Sequence, residues 1–146
     1  MATRISIWSS YCRPTARADA ERWLAAARDD LDSARYLAVG GRHAPACFFS
    51  QQAAGKAVKA VHYGQGARSV IGHNVRALVE KLSPREPRFD SLLDAARELD
   101  LFYVPTRYPN GLDSGTPAEA FSAAQSARAI DLVARFVDAA GATLGG

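Results

Sequence analysis

Trp23, Ala27, Leu31, Ala34 and Ala38 recur three or four residues apart between Asp19 and the Gly40-Gly41 pair. That spacing predicts one long amphipathic helix, because a period near 3.6 residues brings all five side chains to one face. The pattern resumes after the glycines: Cys47, Phe48, Gln51, Ala54, Val58 and Val61 form a second stripe from Ala44 to about Tyr63, closed by Gly64 and Gly66. Two long helices joined by so short a connection must fold back on each other as antiparallel neighbours.

The rest of the chain keeps the helical period. The stretch "GQGARSVIGH" predicts a loop, Asn74 a cap for a short helix through Leu82, and Ser83-Pro84 its end. Ser83 and Glu86 have capping-box spacing, and Leu92, Leu93, Ala96 and Leu99 predict a helix through about Phe102. Thr116-Pro117-Ala118-Glu119 is the sharpest start signal, with an N-cap threonine, proline at the first helical position and glutamate at the third. Phe121, Ala124, Ala127, Ile130, Val133, Ala134 and Val137 then carry an apolar face to Gly141. No segment alternates as a strand would. The expectation is an all-α chain, an antiparallel up-and-down bundle of about five helices, three long and two short. The helical domain is expected over residues 16–141, after a flexible extension at 1–15 that could pack through Ile5 and Trp8, and before a tail at 142–146.

Composition narrows the function classes. A chain of 146 residues can close one core without disulfide or metal staples. Cys12 and Cys47 stand far apart without metal-ligand spacing, and no motif calls for a metal or a cofactor. No apolar run is long enough for a bilayer, and "MATRISIWSSYCRPTA" lacks the apolar core of a secretory signal, so a reducing cytoplasm with no membrane contact is the expected compartment. The net charge of +3, from three lysines and fifteen arginines against the acidic residues, is spread along the chain and does not by itself call for nucleic acid.

Three groups of residues can carry chemistry. Gln52, Lys56, Lys59 and Tyr63 fall on one face of the second helix, where the lysines either meet a phosphate or form an ordinary solvated surface. Gln51 falls inside the apolar stripe itself, where an unpartnered amide would cost roughly 1 to 3 kcal/mol, so a satisfied core amide is expected. His73 follows Arg68 at the Arg-x4-His spacing of some metal-independent ribonucleases, a match short enough to arise by chance. The alternative role for His73 is to hold the loop to the start of the next helix, and His43 and His62 have no evident partner. The third group lies in "YVPTRYPNG". Arg107 offers a planar fork of donors suited to phosphate, and Tyr103 and Tyr108 offer faces for a base or for the guanidinium. The same residues also suit a rigid plug at the bundle's end, with Arg107 bonded to helix carbonyls or to Asp113.

Taken in order, "WLAAARDDLDSARYL", "APACFFSQQAAGKAVKAV", a lone histidine before a short helix, "ELDLFYVPTRYPNG" and "TPAEAFSAAQSARAI" resemble the HEPN domain family (higher eukaryotes and prokaryotes nucleotide-binding domain) over about residues 17–140. The resemblance implies an antiparallel helical bundle, commonly a homodimer and often encoded beside a minimal nucleotidyltransferase as a toxin-antitoxin pair. It implies a nucleotide- or RNA-binding module with Lys56, Lys59, Tyr103, Arg107 and Tyr108 as binding residues. Several relatives are ribonucleases that pair an arginine with a histidine four to six residues later. No histidine follows Arg107 here. A metal-independent endoribonuclease would therefore need Arg107 with His73 brought near by the fold, and a non-catalytic dimeric interaction module is the third reading. Tyrosine adenylylation in some relatives makes Tyr103 and Tyr108 the residues to examine for modification. In the pattern Gln-Gln-Ala-Ala-Glu-Lys common in the family, Gly55 replaces the glutamate. A glycine in mid-helix costs roughly 1 kcal/mol relative to alanine, so it either admits a close neighbour or marks a lost acidic function.

Overall fold

Alanine sets how closely the long helices approach. In the computed structural model, which describes residues 15–145, α1 (Ala16–Val39) packs antiparallel to α2 (His43–Gly64), and α7 (Ala123–Leu144) lies against both. Most of the expected amino-terminal extension, with Ile5, Trp8 and Cys12, lies outside the described residues. Ala20, Ala27 and Ala34 of α1, Ala53, Ala57 and Ala60 of α2, and Ala129 and Ala140 of α7 are fully buried. Side chains that small let backbones come close, and the burial, not intrinsic propensity, stabilises the helices. Residues are buried around several sides of α2, from Ala44 through Gln51 to Val61, which makes it the central helix. Phe89 and Phe136, with ring centroids 6.1 Å apart, are the largest fully buried side chains.

Both predicted glycine breaks are helix ends of one kind. Gly41 has φ 77° and Gly66 φ 98°, conformations that favour glycine. Arg42 N–H donates to Leu37 O at 2.8 Å and Gly41 N–H to Ala38 O at 3.1 Å, while Ala67 and Gly66 N–H do the same to His62 and Tyr63. These paired bonds satisfy carbonyls that each helix end would otherwise leave open.

Short helices wrap one flank: α3 (Val75–Glu80), α4 (Pro87–Asp90) and α5 (Leu93–Asp100), with α3 packed on α5 and on α2. Asn74 caps α3 as expected, its side chain accepting from Ala77 N–H at 2.7 Å. With α6 (Pro117–Ala120) there are seven helices and no strand among the described residues, an all-helical bundle. None of these helices is long and apolar enough to cross a membrane.

Two local readings are corrected. The Ser83–Glu86 capping box does not form: Glu86 itself precedes α4 without a side-chain cap, and Ser83 N–H donates to Gln65 Oε1 at 3.1 Å. The helix that starts at Thr116 lasts one turn. Thr116 Oγ1 donates to the Glu119 carboxylate at 3.1 Å, and Phe121 turns extended so that its ring meets Phe102 edge-on at 5.9 Å. Ser122 then restarts the chain as α7 with a complete capping box: Gln125 N–H donates to Ser122 Oγ, and Ser122 N–H to Gln125 Oε1. Apolar burial of Phe121 outweighs an unbroken helix, and the Ser-x-x-Gln signal that marks the true start was present in the sequence. The helix continues past Gly141 to Leu144.

Candidate functional site

After α5 the chain runs through successive turns over residues 101–107 and a 3-10 turn at Pro109–Gly111. Arg107 N–H and Tyr108 N–H both donate to Val104 O, and Thr106 Oγ1 donates back to Phe102 O, so the segment is a rigid spiral despite its prolines. The spiral aims Arg107 inward along the protein surface. Its Nε donates to Tyr103 O at 2.8 Å, and its guanidinium carbon lies 4.4 Å from the Tyr103 ring centroid, 4.6 Å from that of Phe48 and 5.1 Å from that of Tyr108. Bonding to a helix-like carbonyl was one of the two roles expected for Arg107. The alternative partner Asp113 is not used. Among the described residues only Nε is committed, so the outer donors of the fork remain for a ligand.

His73 reaches the same ring from another segment. Its imidazole stacks on Tyr103 with centroids 3.7 Å apart and planes 1° from parallel. Gln51 and Asp100 fix this approach. Gln51 is buried, and its Nε2 donates to His73 O at 2.7 Å and to Asp100 Oδ1 at 3.2 Å, while its Oε1 accepts from Gln52 Nε2 at 2.8 Å. Asp100 also accepts from Val75 N–H at 2.8 Å and Arg76 N–H at 3.1 Å at the start of α3. One carboxylate thus clamps the loop after α2 between α2 and α5. The expected core amide at Gln51 is satisfied, and its partners are what set His73 beside Tyr103. Arg68, which has the spacing to His73, is exposed on that loop, and it is Arg107 that shares the histidine's aromatic neighbour.

The lysines form a separate group. Lys56 Nζ lies 2.6 Å from the Asp30 carboxylate, and Lys59 Nζ stands 5.3 Å from the Trp23 ring centroid, with Trp23 stacked in turn on Tyr63 at 5.6 Å. Burial, with the neighbouring Lys56 charge as a lesser cause, holds the Lys59 amine below its ordinary value. Lys56, Lys59 and Trp23 border a cleft of about 210 Å³ between α1, α2 and the loop after α2, lined also by Gln51, Gln52, Gly55, Gly72 and His73. A second cleft of about 250 Å³ lies on the far side, where Arg42 and His43 at the start of α2 meet Thr106 and Arg107. His73 borders the first cleft, Arg107 the second, and the Tyr103 ring joins them.

The two other histidines acquire partners. His43 Nδ1 and the buried Ser126 Oγ are 2.8 Å apart, and His62 Nε2 is 2.7 Å from Leu78 O. Cys47 is not a candidate nucleophile, because burial raises its thiol to about 11. No group of three or more potential metal ligands occurs among the described residues.

A model of the HEPN domain matches residues 20–139. The chain belongs to the HEPN family. Its structure is similar to the crystal structure of TT1696 from Thermus thermophilus, with 33% identity, a TM-score of 0.80, and coverage of 86% of this chain and 98% of that one. It is also similar to ST0689, an archaeal HEPN homologue, at 33% identity and a TM-score of 0.70, covering 86% of this chain and 97% of that one. No curated protein matches the sequence.

Within this HEPN bundle, Gly55 is not forced by a close neighbour. A Cβ added there would meet nothing nearer than Val75 Cγ2 at 4.0 Å. Its effect is to leave open space beside Lys56 in the first cleft. Phe48, Trp23 and Asp100 are the site residues that sequence reasoning did not single out. Asp100 alone left a signal: an acidic residue ending α5 opposes that helix's own dipole, which marks a carboxylate used by another element.

Proposed function

We propose that this HEPN module binds a nucleotide or RNA on the face formed by Tyr103, Arg107, Tyr108 and His73. The observation that carries the reading is the Arg107 guanidinium held among three aromatic rings beside the His73–Tyr103 stack, with its outer donors uncommitted. The exposed Tyr108 ring offers a face on which a base stacks at roughly 1 to 3 kcal/mol, and a planar guanidinium pairs with phosphate oxygens while stacking on rings. The expected setting is a homodimer working beside a minimal nucleotidyltransferase in a toxin-antitoxin pair. The highly exposed Tyr36 and Val39 near the end of α1 are apolar surface suited to such a partner. Binding of a fluorescent oligoribonucleotide tests the reading: Arg107→Ala should weaken it at least about tenfold, or about 1.4 kcal/mol, with the melting temperature nearly unchanged. Unaltered affinity in that variant would remove the support.

The shared Tyr103 neighbour favours one second reading, a metal-independent ribonuclease. His73 would act as acid or base on the 2′-hydroxyl or leaving oxygen while Arg107 stabilises the phosphorane charge. RNA cleavage in chelator, abolished in both His73→Ala and Arg107→Ala, is its signature. Retained cleavage in either variant excludes it.

A further inference from the structure

We propose that the cleft between α1, α2 and the loop after α2 is a phosphate site, which takes a terminal phosphate of the nucleotide or RNA whose base lies on the Tyr108–Arg107 face. The inference rests on the binding reading above and adds a second, chemically distinct subsite to it.

Size selects the group. At about 210 Å³ the cleft is smaller than the roughly 300 to 1,000 Å³ of pockets that enclose whole small molecules, and it holds a phosphate with a few waters. Charge selects its sign. Asp30 pairs with Lys56 at 2.6 Å and fixes it in place, whereas Lys59 has no carboxylate partner among the described residues and rests over Trp23. Burial and, to a lesser degree, the Lys56 charge cost the Lys59 ammonium some stability, holding its amine below the ordinary value. An arriving phosphate reverses that cost. Gln52 gives one N–H to Gln51 Oε1 and keeps the second for an acceptor in the cleft.

Shape and continuity complete the argument. Gly55 lines the cleft, and a Cβ there would meet only Val75 Cγ2 at 4.0 Å, so a larger side chain would compete with a ligand for this space. His73 lines the cleft with one part of its surface and stacks on Tyr103 with its ring face. A strand end therefore meets an aromatic platform and a lysine cleft without leaving the protein surface. A terminal phosphate is favoured over an internal one because it carries up to two charges.

The test uses the full chain and an internally labelled hexanucleotide carrying phosphate at its 5′ end, at its 3′ end, or at neither. One of the phosphorylated probes should bind about tenfold tighter than the unphosphorylated one, the scale of one charge-assisted contact. Lys59→Met and Gly55→Glu should each erase that difference between phosphorylated and unphosphorylated probes, and Arg107→Ala should weaken all three probes alike. Competition by excess inorganic phosphate separates a general phosphate site from one specific to strand ends; both support the cleft. Equal binding of all three probes by the unsubstituted protein overturns the phosphate site and leaves the aromatic face standing if Arg107→Ala still weakens them. Equal loss of all three in Lys59→Met overturns it as diffuse charge attraction. Failure of every probe to bind overturns both.

Discussion

The packed side of α1, α2 and α7 and the flank where α2 meets α3 and α5 solve the same problem in opposite ways. In the first, polar backbone groups pair within each helix and the contact surface is alanine, leucine, valine and phenylalanine. In the second, groups from one segment are satisfied only by another: Gln51 by His73 and Asp100, the α3 amides by Asp100, the Tyr103 ring by His73 and Arg107. The first arrangement tolerates change at its surface and resists it in the core. The second makes a surface whose geometry is fixed from inside, which is what a binding site needs.

The strongest way to break this contrast is Phe136→Ala. Phe136 is fully buried against Phe89, so truncation should cost about 3 to 5 kcal/mol in denaturant unfolding and leave oligoribonucleotide affinity intact wherever the protein remains folded. Asp100→Ala should cost less stability, about 2 to 3 kcal/mol, because it strands one Gln51 N–H and two α3 backbone amides. Unlike Phe136→Ala it should also release His73 from Tyr103 and weaken RNA binding; an intact His73 position in the variant's spectrum would show that Gln51 alone suffices.

Gly55→Ala sharpens the comparison from the other side. The added methyl has room, so the variant should gain up to about 1 kcal/mol from helix propensity. A loss of stability there would mean that the cleft needs the glycine for packing.

The smallest effect concerns pH. Burial holds His62 below its ordinary 6.5, aided by Lys81 and Lys59 and opposed by the bond to Leu78 O. The folded protein thus favours neutral His62, and the unfolded chain takes up the proton more readily. This contribution to stability is whole above about pH 6.5 and is lost as pH falls through the lower folded value. Melting temperatures of His62→Gln, which keeps a donor for Leu78 O, should vary less between about pH 7 and 5.5 than those of the unsubstituted protein.

The helices were legible because their causes are local. Gly41 and Gly66 end α1 and α2 with bonds that span five residues, Asn74 caps α3 from three residues away, and the stripe of Trp23, Ala27 and Leu31 needs only helical geometry. The error at Thr116 came from beyond that range: the local rule was sound, but Phe121 had a better partner in Phe102, on the segment that follows α5. Of the site, Arg107, Tyr103 and His73 could be named as candidates from residue type and spacing. That they share one aromatic ring could not.

Sequence by itself determined that this chain is an α-helical bundle, where its first two long helices break, and that its second helix carries a polar face and an amide in its apolar stripe. Only the tertiary structure decided what those groups do. Gln51 and Asp100 are 49 residues apart, and Gln51 and His73 are 22 apart, yet each pair is joined by a hydrogen bond. Helix periods and caps are set by neighbours within a turn or two, whereas the Asp100 clamp, the stacked Tyr103 and the lysine cleft exist only once α1, α2 and α5 have packed.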